Sequence, residues 1–421
     1  MSWLRTNHER IASRIAAIAE FNDAPELGGT TRLAYTPTCR QALDLVAQWM
    51  EDCSMTTWMD AAGNLIGRIE GAGAGGRSLA IGSHIDTVEN GGNYDGVIGV
   101  LAGLEVAAYV AENGLSLDRP LEVIVFCEEE GARFGGGLFG SRALTGAIGK
   151  EALQLTDRDG VSREDALRAF GGYPSGLPAG DAVRQGGFSA YLEMHIEQGP
   201  ALAGAGVPIG VVEGIVGLLS AEVLFRGETN HAGATPMKAR HDALLGLCEL
   251  ALEVERLCNL PDYAARGTVG TVDVRAGGVN AVPGLVAATI DLRDLDPSVI
   301  ASTWDAVRVA GGAIARRRGL SADFSVRLQA APALCDEWIA GLIEKNRLAM
   351  NVPTMRMASG AGHDAQTMAR VCPMGMIFVR SSGGSHNPNE FAAPEDIALG
   401  ADILLRTALD IVSATIPVCP E

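Results

Sequence analysis

The sequence lacks features that would each point to a particular class of protein. It has no run of about 20 apolar residues, the length that a membrane-spanning helix requires. Positive charge is scarce, because 33 lysines and arginines face 51 aspartates and glutamates, which leaves a formal net charge of −18. A chain this acidic repels phosphate groups, so we expect neither a nucleic-acid partner nor binding to an anionic membrane.

Cysteine is present but never as a closely spaced pair. Eight cysteines are scattered along the chain without a Cys-x-x-Cys motif. Residues 1–21 carry Ile11, Ile15 and Ile18 at helical spacing among charged residues, which predicts an amphipathic helix and not a secretory signal. Without such a signal the cysteines are expected to be reduced thiols, and we therefore expect a cytoplasmic protein.

Length and composition predict a soluble protein of two domains. Hydrophobic residues make up 47% of the chain and charged residues 20%, as in globular proteins. A chain of 421 residues is long for a single hydrophobic core. Residues 214–330 have the element order β-α-β-β-α-β of a ferredoxin-like module. We predict that this module is inserted into a mostly parallel α/β domain formed by residues 1–213 and 331–421.

Residues able to bind a metal recur where the predicted strands of the larger domain end. In open α/β sheets the carboxyl ends of the strands form the edge at which ligands bind. Imidazole and carboxylate groups at this edge suit a divalent cation. The residues that the sequence brings there are His84, Asp95, one of Glu128, Glu129 and Glu130, His195 and His386.

This set of residues predicts a hydrolase with two metal ions. Five ligands, with Asp95 shared as a bridge, are enough for two divalent ions that each keep an open position. Two such ions about 3.5–4 Å apart activate water at neutral pH and polarise a carbonyl group. A neighbouring carboxylate then acts as general base and passes the proton to the leaving nitrogen. Asp86, two residues after His84, is expected to hold that ligand by a hydrogen bond.

Several motifs, spread over nearly the whole chain, resemble those of one family. They are Gly82-Ser-His-Ile-Asp-Thr87, Asn90-Gly-Gly-Asn-Tyr-Asp95, Glu129-Glu-Gly-Ala-Arg-Phe134, His195-Ile-Glu-Gln-Gly-Pro200, His231-Ala-Gly-Ala-Thr-Pro236 and Ser385-His386. The chain is similar to the dinuclear-metal amidohydrolases of the M20 peptidase clan. Within that clan it resembles the branch of N-carbamoyl-L-amino-acid hydrolases, allantoate amidohydrolases and β-ureidopropionases.

The resemblance implies a role for individual residues. The metal ligands would be His84, Asp95 as the bridge, Glu130, His195 and His386. Glu129 would be the general base, and Asp86 would support His84. The substrate contacts would be Gln198, His231, Asn280, Arg293 and Gly360. Arg293 would bind a substrate carboxylate through its planar guanidinium group, and His231 would stabilise the oxyanion.

The resemblance also implies cofactors, partners and an architecture. Two divalent metal ions per subunit are expected, and the ligand types allow zinc, manganese or cobalt. The larger domain would be a zinc-peptidase-like catalytic domain, and the inserted module a lid and dimerisation domain. The protein would be a homodimer in which His231 reaches the active site across the interface. Its substrate would be a small molecule that carries a carboxylate group.

The motifs leave the substrate open. An N-carbamoyl-L-amino acid, cleaved to the amino acid, ammonia and CO₂, is favoured over allantoate and N-carbamoyl-β-alanine. More distant alternatives are an M20-type aminopeptidase or aminoacylase and a metal-binding protein without catalysis. A nucleotide-dependent oxidoreductase rests only on the glycine-rich string at 71–76, which leads into a strand instead of a helix. Glu128 has no assigned role, and His363 is interpreted as a pocket or structural residue.

Overall fold

The computed structural model describes residues 4–73, 76–177, 187–263 and 265–412. Contacts between residues divide the chain into two compact units, one comprising Met1–Glu213 and Leu334–Glu421 and the other Gly214–Ala333. The middle of the glycine-rich string at 71–76 lies outside the described residues. So does Ser413, at which the sequence predicts the end of a last helix that begins at Glu395.

The described residues form strands and helices that alternate along most of the chain. The strands are β1 (Thr56–Met59), β2 (Leu65–Ile69), β3 (Ser78–His84), β4 (Leu121–Phe126), β5 (Phe188–Ile196), β6 (Ile209–Ile215), β7 (Gly217–Arg226), β8 (Asn230–His231), β9 (Arg266–Gly278), β10 (Ala281–Asp294), β11 (Ser321–Ala330), β12 (Ala333–Leu334), β13 (Thr354–Ser359), β14 (Met374–Val379), β15 (Ser381–Ser382) and β16 (Phe391–Ala392). The helices are α1 (His8–Ala19), α2 (Pro37–Asp52), α3 (Val97–Glu112), α4 (Phe139–Leu144), α5 (Arg163–Phe170), α6 (Ala201–Ala205), α7 (Ala243–Cys258), α8 (Pro297–Arg318), α9 (Glu337–Ala349), α10 (Asp364–Met368) and α11 (Pro394–Val412).

The first unit is built on a nine-stranded sheet with a parallel centre. Its strand order is β1-β2-β4-β3-β5-β14-β6-β12, and β13 also pairs with β6. The central neighbours β4, β3, β5 and β14 are parallel, whereas β1, β2 and β6 pair with their neighbours in the antiparallel direction. Strands β3, β4 and β14 are buried along their whole length, as expected for parallel strands that are covered on both faces.

Helix α3 connects β3 to β4 and packs against the centre of the sheet. It contacts β3 and β5 on one side and helices α1 and α11 on others. Nearly all of its residues are buried, so it is apolar around most of its circumference. The helix therefore fixes the loop between β3 and its own first residue, Val97, against the core of the unit.

The second unit is an antiparallel sheet with two helices on one face. Its strand order is β11-β7-β10-β8, and β9 pairs with β10. Helices α7 and α8 pack on the buried side chains of β7 and β10, including Val223, Val286 and Ile290. The predicted order β-α-β-β-α-β is observed with one addition. The addition is the two-residue strand β8, in which His231 pairs with Ala281 at the start of β10.

No helix among the residues that the structure describes combines the length and the apolar character needed to cross a bilayer.

Candidate metal centre

The ends of two neighbouring parallel strands bring two histidines together. His84 is the last residue of β3, and His195 is the residue before the last of β5. Their ring centroids are 5.9 Å apart, and both side chains are buried. Asp95 lies in the loop after β3 and is separated from helix α3 by Gly96 alone. The sheet and the helix thus deliver three of the predicted ligands to one place.

The carboxylate of Asp95 is the centre of the cluster. Its Oδ1 is 3.1 Å from Nε2 of His195 and 3.5 Å from Nε2 of His84. Its Oδ2 is 3.5 Å from Nε2 of His386. Each of the two oxygens faces different histidines, which is the arrangement that a bridging carboxylate needs.

Two sets of side chains around Asp95 could each hold a cation. The His84 group consists of His84, Asp95 and His195, and the His386 group of Asp95, Glu130 and His386. Within each group the potential ligand atoms lie within 4.8 Å of one another. The His84 group is buried, whereas the side chain of His386 is 48% exposed. Its Nε2 is 3.3 Å from Oε2 of Glu130.

The loop between Asp95 and helix α3 requires a glycine. Gly96 has a φ of +66°, a conformation that other residues rarely adopt. A Cβ at this position would lie 2.5 Å from atoms of the His84 ring. Any side chain here would therefore push His84 away from Asp95.

The main chain orients both buried histidines. Nδ1 of His84 is 2.9 Å from the carbonyl oxygen of Asp86, and Nδ1 of His195 is 3.0 Å from the carbonyl oxygen of Ile196. A carbonyl oxygen can only accept a hydrogen bond, so each Nδ1 carries the hydrogen. Each Nε2 then faces Asp95 and is the nitrogen that would bind a metal ion after losing its hydrogen, as in histidines that bind metals.

Asp86 bonds to His84 with its main chain, whereas its carboxylate was expected to hold that histidine. Its carboxylate is 3.9 Å from Nδ1 of His84, too far for a hydrogen bond, and its main-chain carbonyl makes that bond instead. The carboxylate faces the backbone N–H groups of Glu129 and Glu130, at 3.4 and 3.3 Å. A buried carboxylate needs hydrogen-bond donors, and these two N–H groups lie nearer to the carboxylate of Asp86 than the imidazole of His84 does. Asp86 thus joins the strand end of His84 to the acidic loop after β4.

Burial, together with neighbouring acids, disfavours the charged form of two glutamates in the cluster. Glu129 has Oε2 at 3.7 Å from Nε2 of His84. Burial, reinforced by the charge of nearby acids, raises the pKa of Glu129 well above its usual range. Burial and the charge of Asp95 raise the pKa of Glu130 to about 7. Bound cations would offset this repulsion, so the imidazole and carboxylate donors present here fit divalent metal ions.

Asp95 behaves differently from the two glutamates. Burial by itself would raise its pKa, but the adjacent imidazoles of His195, His386 and His84 outweigh that effect and hold the pKa well below its usual range. Asp95 is therefore a carboxylate at any pH near neutral, as a bridging ligand must be.

Glu128, to which the sequence assigned no role, forms a buried ion pair. Its Oε2 accepts a hydrogen bond of 2.7 Å from Nε of Arg163, the first residue of α5. Its Oε1 accepts the backbone N–H of Phe134 at 3.2 Å. Arg163 also donates to the carbonyl oxygens of Ala152 and Gly135, both at 2.6 Å. This pair fixes the loop that presents Glu129 and Glu130. The positive φ of Glu128, +57°, distinguishes the direction of its side chain from the directions of theirs.

His363 packs against the ring of His195. Its ring centroid is 4.4 Å from that of His195, and its Nε2 is 2.8 Å from the hydroxyl of Ser359. Burial, and then the charge of His195, lowers the pKa of His363 well below its usual range, so the ring is neutral. These contacts agree with a structural role. Gly360, a predicted substrate contact, follows Ser359, the last residue of β13.

Gln198 contacts the centre of the cluster directly. It has a φ of +62° and donates from Nε2 to Oδ2 of Asp95 at 2.7 Å. Its Oε1 is buried and has no hydrogen-bond partner among the described residues. The amide therefore offers one unused acceptor next to the proposed bridging ligand.

In the second unit, His231 and Asn280 are neighbours. His231 pairs with Ala281 across β8 and β10, and the carbonyl oxygen of Asn280 accepts the N–H of Ala232 at 2.8 Å. Nδ1 of His231 accepts the N–H groups of Gly233 and Ala234, both at 3.1 Å. Nδ1 is therefore an acceptor, and Nε2 is the nitrogen that can donate a hydrogen bond.

Arg293 lies at the other end of the same strand. Its Nε donates to Oδ1 of Asp291 at 2.8 Å, and a second nitrogen is 3.3 Å from Oδ2, so this guanidinium already binds one carboxylate. Residues 281 and 293 are 12 positions apart on β10. At about 3.3 Å per residue, roughly 40 Å separate Arg293 from His231 and Asn280. A small molecule cannot touch both ends of this strand within one subunit.

The family of the chain follows from a comparison with known proteins. The sequence profile of peptidase family M20/M25/M40 matches residues 80–410. The chain belongs to this family.

Relatives with a similar sequence cover nearly the whole chain. The N-carbamoyl-L-amino acid amidohydrolase of Geobacillus stearothermophilus is 40% identical over 95% of this chain and 97% of its own length. The allantoate deiminase of Arabidopsis thaliana is 32% identical over 94% of this chain and 81% of its own length. The structure of a hydantoinase/carbamoylase-family amidase from Burkholderia multivorans has a TM-score of 0.90 at 32% identity, covering 98% of this chain and 100% of that one.

These relatives confirm three predictions made from the motifs. The first is the membership of the M20 family in its carbamoylase branch. The second is the α/β fold with its largely parallel central sheet. The third is the enzyme class, since the relatives are amidohydrolases that act on C–N bonds outside peptides.

Loss of one partner from the Glu128–Arg163 pair should destabilise the folded protein. Glu128→Ala or Arg163→Met leaves the other charge buried, with an expected loss of about 3–5 kcal/mol in the free energy of unfolding. The double variant removes both charges and should lose less than the sum of the single losses, as chemical denaturation can measure.

The matched control is the exposed pair of Glu164 and Arg168 on the same helix. Arg168→Met should cost less than about 1 kcal/mol because water screens that pair. Additive losses in the Glu128 and Arg163 variants would show that the two side chains do not act as a pair.

Proposed function

We propose that this protein hydrolyses the carbamoyl group of N-carbamoyl-L-amino acids with the help of two divalent metal ions. The observation that carries the proposal is the carboxylate of Asp95, which faces His84 and His195 with one oxygen and His386 with the other. The name of the Geobacillus stearothermophilus relative supports the choice of substrate. Zinc, manganese and cobalt all suit these ligands.

The proposed ligands divide into the two groups described above. His84 and His195 would hold one ion, Glu130 and His386 the other, and Asp95 would bridge them. When bound, such a pair of ions supplies a water nucleophile at neutral pH and polarises the scissile carbonyl. In the reaction water adds to the carbamoyl carbon, the bond to the amino-acid nitrogen breaks, and the carbamic acid released falls apart into ammonia and CO₂.

Glu129 would move the proton in this reaction. Its Oε2, 3.7 Å from Nε2 of His84, lies at the border of the His84 group. Burial raises the pKa of this carboxyl well above its usual range. A carboxylate of raised pKa readily accepts a proton from the attacking water and returns it to the departing nitrogen near neutral pH.

Polar groups near Asp95 and in the second unit would bind the substrate. The unused Oε1 of Gln198 fits an N–H group of a ureido substrate. The exposed Nε2–H of His231 is a donor suited to the oxyanion that forms on the carbonyl. Arg293, already paired with Asp291, would add the substrate carboxylate to its remaining donors. Asn280 and Gly360 complete the proposed contacts.

The length of β10 supports a homodimer. About 40 Å separate the two ends of this strand. His231 and Asn280 would therefore contribute to one active site, and Arg293 of the same subunit to another. In a dimer each site would then take one of these ends from its own subunit and the other from the partner. We propose that His231 acts across the interface.

The cysteines support a location in a reducing compartment. Seven of them are free thiols in the described part of the chain, and five of these are buried. Proteins of the cytoplasm keep their thiols reduced, and we propose that this protein is cytoplasmic.

Chelator-treated protein should regain ammonia release when manganese or zinc is added back. We expect turnover of N-carbamoyl-L-amino acids, measured in parallel with allantoate and N-carbamoyl-β-alanine. Turnover of allantoate alone would assign the protein to the activity for which the Arabidopsis thaliana relative is named. Two bound ions without turnover of any ureido substrate would contradict the proposal and favour an aminoacylase or aminopeptidase.

The variant Glu129→Gln should keep the metal ions and lose the reaction. Glutamine preserves the shape of the side chain but cannot take up a proton, so kcat should fall by about 10²–10⁴-fold. Ion content by elemental analysis separates this effect from loss of metal. Normal turnover with both ions in place would show that Glu129 is not the general base.

Metal binding to the His386 group should weaken as the pH falls. Burial raises the pKa of Glu130 to about 7, and the bond to Asp95, which outweighs burial, raises the pKa of His386 to about 8. Both side chains must lose their protons to bind a cation. The affinity should thus be constant above about pH 8 and fall below it, with release of up to two protons for each ion bound near pH 6. Calorimetric titration in buffers of different ionisation enthalpy measures this release, and a pH-independent affinity would contradict the assignment of these ligands.

Mixing two inactive variants should restore activity if His231 acts across the interface. In a mixed dimer of His231→Ala and Glu129→Gln subunits, one active site has an intact Glu129 and receives an intact His231 from the other subunit. Random exchange should give about a quarter of the native rate, because half of the dimers are mixed and each contains one intact site. No recovery in a verified mixed dimer would mean that His231 acts within its own subunit.

A further inference from the structure

Glu390 joins two loops that carry proposed ligands, although no motif pointed to it. Its side chain is buried, with 6% of the residue exposed. Oε1 accepts the backbone N–H of Tyr94 at 3.0 Å and that of Asp95 at 3.2 Å. Oε2 accepts the hydroxyl of Ser385 at 2.8 Å. One carboxylate therefore holds both the main chain of Asp95 and the residue before His386.

Most other hydrogen bonds of the loop that carries His386 lie within the loop, where Asn387 bonds to Gly383, Ser385 and Asn389. The loop spans residues 383–390, and its two ends are joined by the short pairing of Ser381 with Ala392 and Ser382 with Phe391. His386 itself has a φ of +59° and a half-exposed side chain. By contrast, His84 and His195 lie within long buried strands. The position of His386 thus depends on bonds within and around its loop.

Ser385 lies between the two carboxylates. Its hydroxyl is 2.7 Å from Oδ2 of Asp95 and 2.8 Å from Oε2 of Glu390. A hydroxyl has one proton and can donate it to one acceptor at a time. When Oδ2 of Asp95 binds a cation, the proton is free to go to Glu390, and the contact between the loops is kept.

Gly92 allows the carboxyl of Glu390 to approach the loop before Asp95. A Cβ added at Gly92 would overlap the carboxyl group of Glu390. The backbone of Gly92 has no positive φ, so alanine is compatible with its conformation and only the overlap opposes it. Replacing Gly92 by alanine should therefore displace the carboxyl group of Glu390 while residue 390 itself stays glutamate.

We propose that Glu390 is a positioning residue for the second metal ion, the one bound by the His386 group. It fixes the distance between Asp95 and His386 by holding the backbone of one and the neighbour of the other. The His84 group, whose histidines are held by the sheet, depends on it less. This inference rests on the proposed function, because it assumes that both groups bind metal.

The test is a titration of chelator-treated protein with Co²⁺, followed by visible absorption and calorimetry. Native protein should bind two ions. Glu390→Ala should bind the first with little change and the second 10- to 100-fold more weakly, the usual effect of losing a group that supports a ligand. Gly92→Ala should reproduce this selective loss. Glu390→Gln should lose less, because its amide oxygen still accepts the two N–H groups.

The matched control is Asp402→Asn. Asp402 is also a buried carboxylate with several hydrogen bonds, but it holds Thr6 and His8, neither of which contacts a proposed ligand. This variant should bind both ions as the native protein does. Thermal unfolding of each variant without metal reports any general loss of stability.

The outcomes separate this inference from the function on which it rests. Native protein that binds no Co²⁺ would overturn the proposed function and the role of Glu390 with it. Two ions bound with unchanged affinity by Glu390→Ala would overturn the role of Glu390 alone. Equal loss of both ions in Glu390→Ala, without recovery in Glu390→Gln, would also overturn it, since the effect would not be selective.

Discussion

A single buried carboxylate facing three imidazoles is the interaction around which the first unit is arranged. The imidazoles come from the end of β3, the end of β5 and the loop after β15, and Asp95 meets all of them. Parallel strands make this possible because their carboxyl ends share one edge of the sheet. Helix α3, buried on nearly every side, keeps the loop of Asp95 at that edge.

The acids near this centre are alike in type but differ in what they bond. Glu129 and Glu130 face the histidines. Asp86, Glu128 and Glu390 face backbone N–H groups or an arginine instead. A buried carboxylate is costly unless donors surround it. The second set therefore holds loops in place, while the first set is available to cations and protons.

The length of strand β10 in the second unit limits which residues of one subunit can contact the same substrate. Strand β10 is long, and it separates His231 and Asn280 from Arg293 by roughly 40 Å. Residues that are to contact one small substrate cannot all come from a single copy of this strand. The assembly of two subunits that we propose would resolve the conflict, and each active site would then depend on the partner.

The sequence by itself determined the α/β class, the inserted β-α-β-β-α-β module and the family. Apolar strands that end in histidine and acidic residues form a local pattern, and such a pattern is visible in the sequence without a structure. Tertiary structure alone decided how neighbouring acids divide their tasks. The positive φ of Glu128 turns its side chain to Arg163, which lies 35 residues away, and the main chain of Asp86, not its carboxylate, reaches His84. Glu390 gained its role only by folding, since its partners lie almost 300 residues earlier. Side-chain direction and contacts between distant segments are set by packing, and no local pattern encodes them.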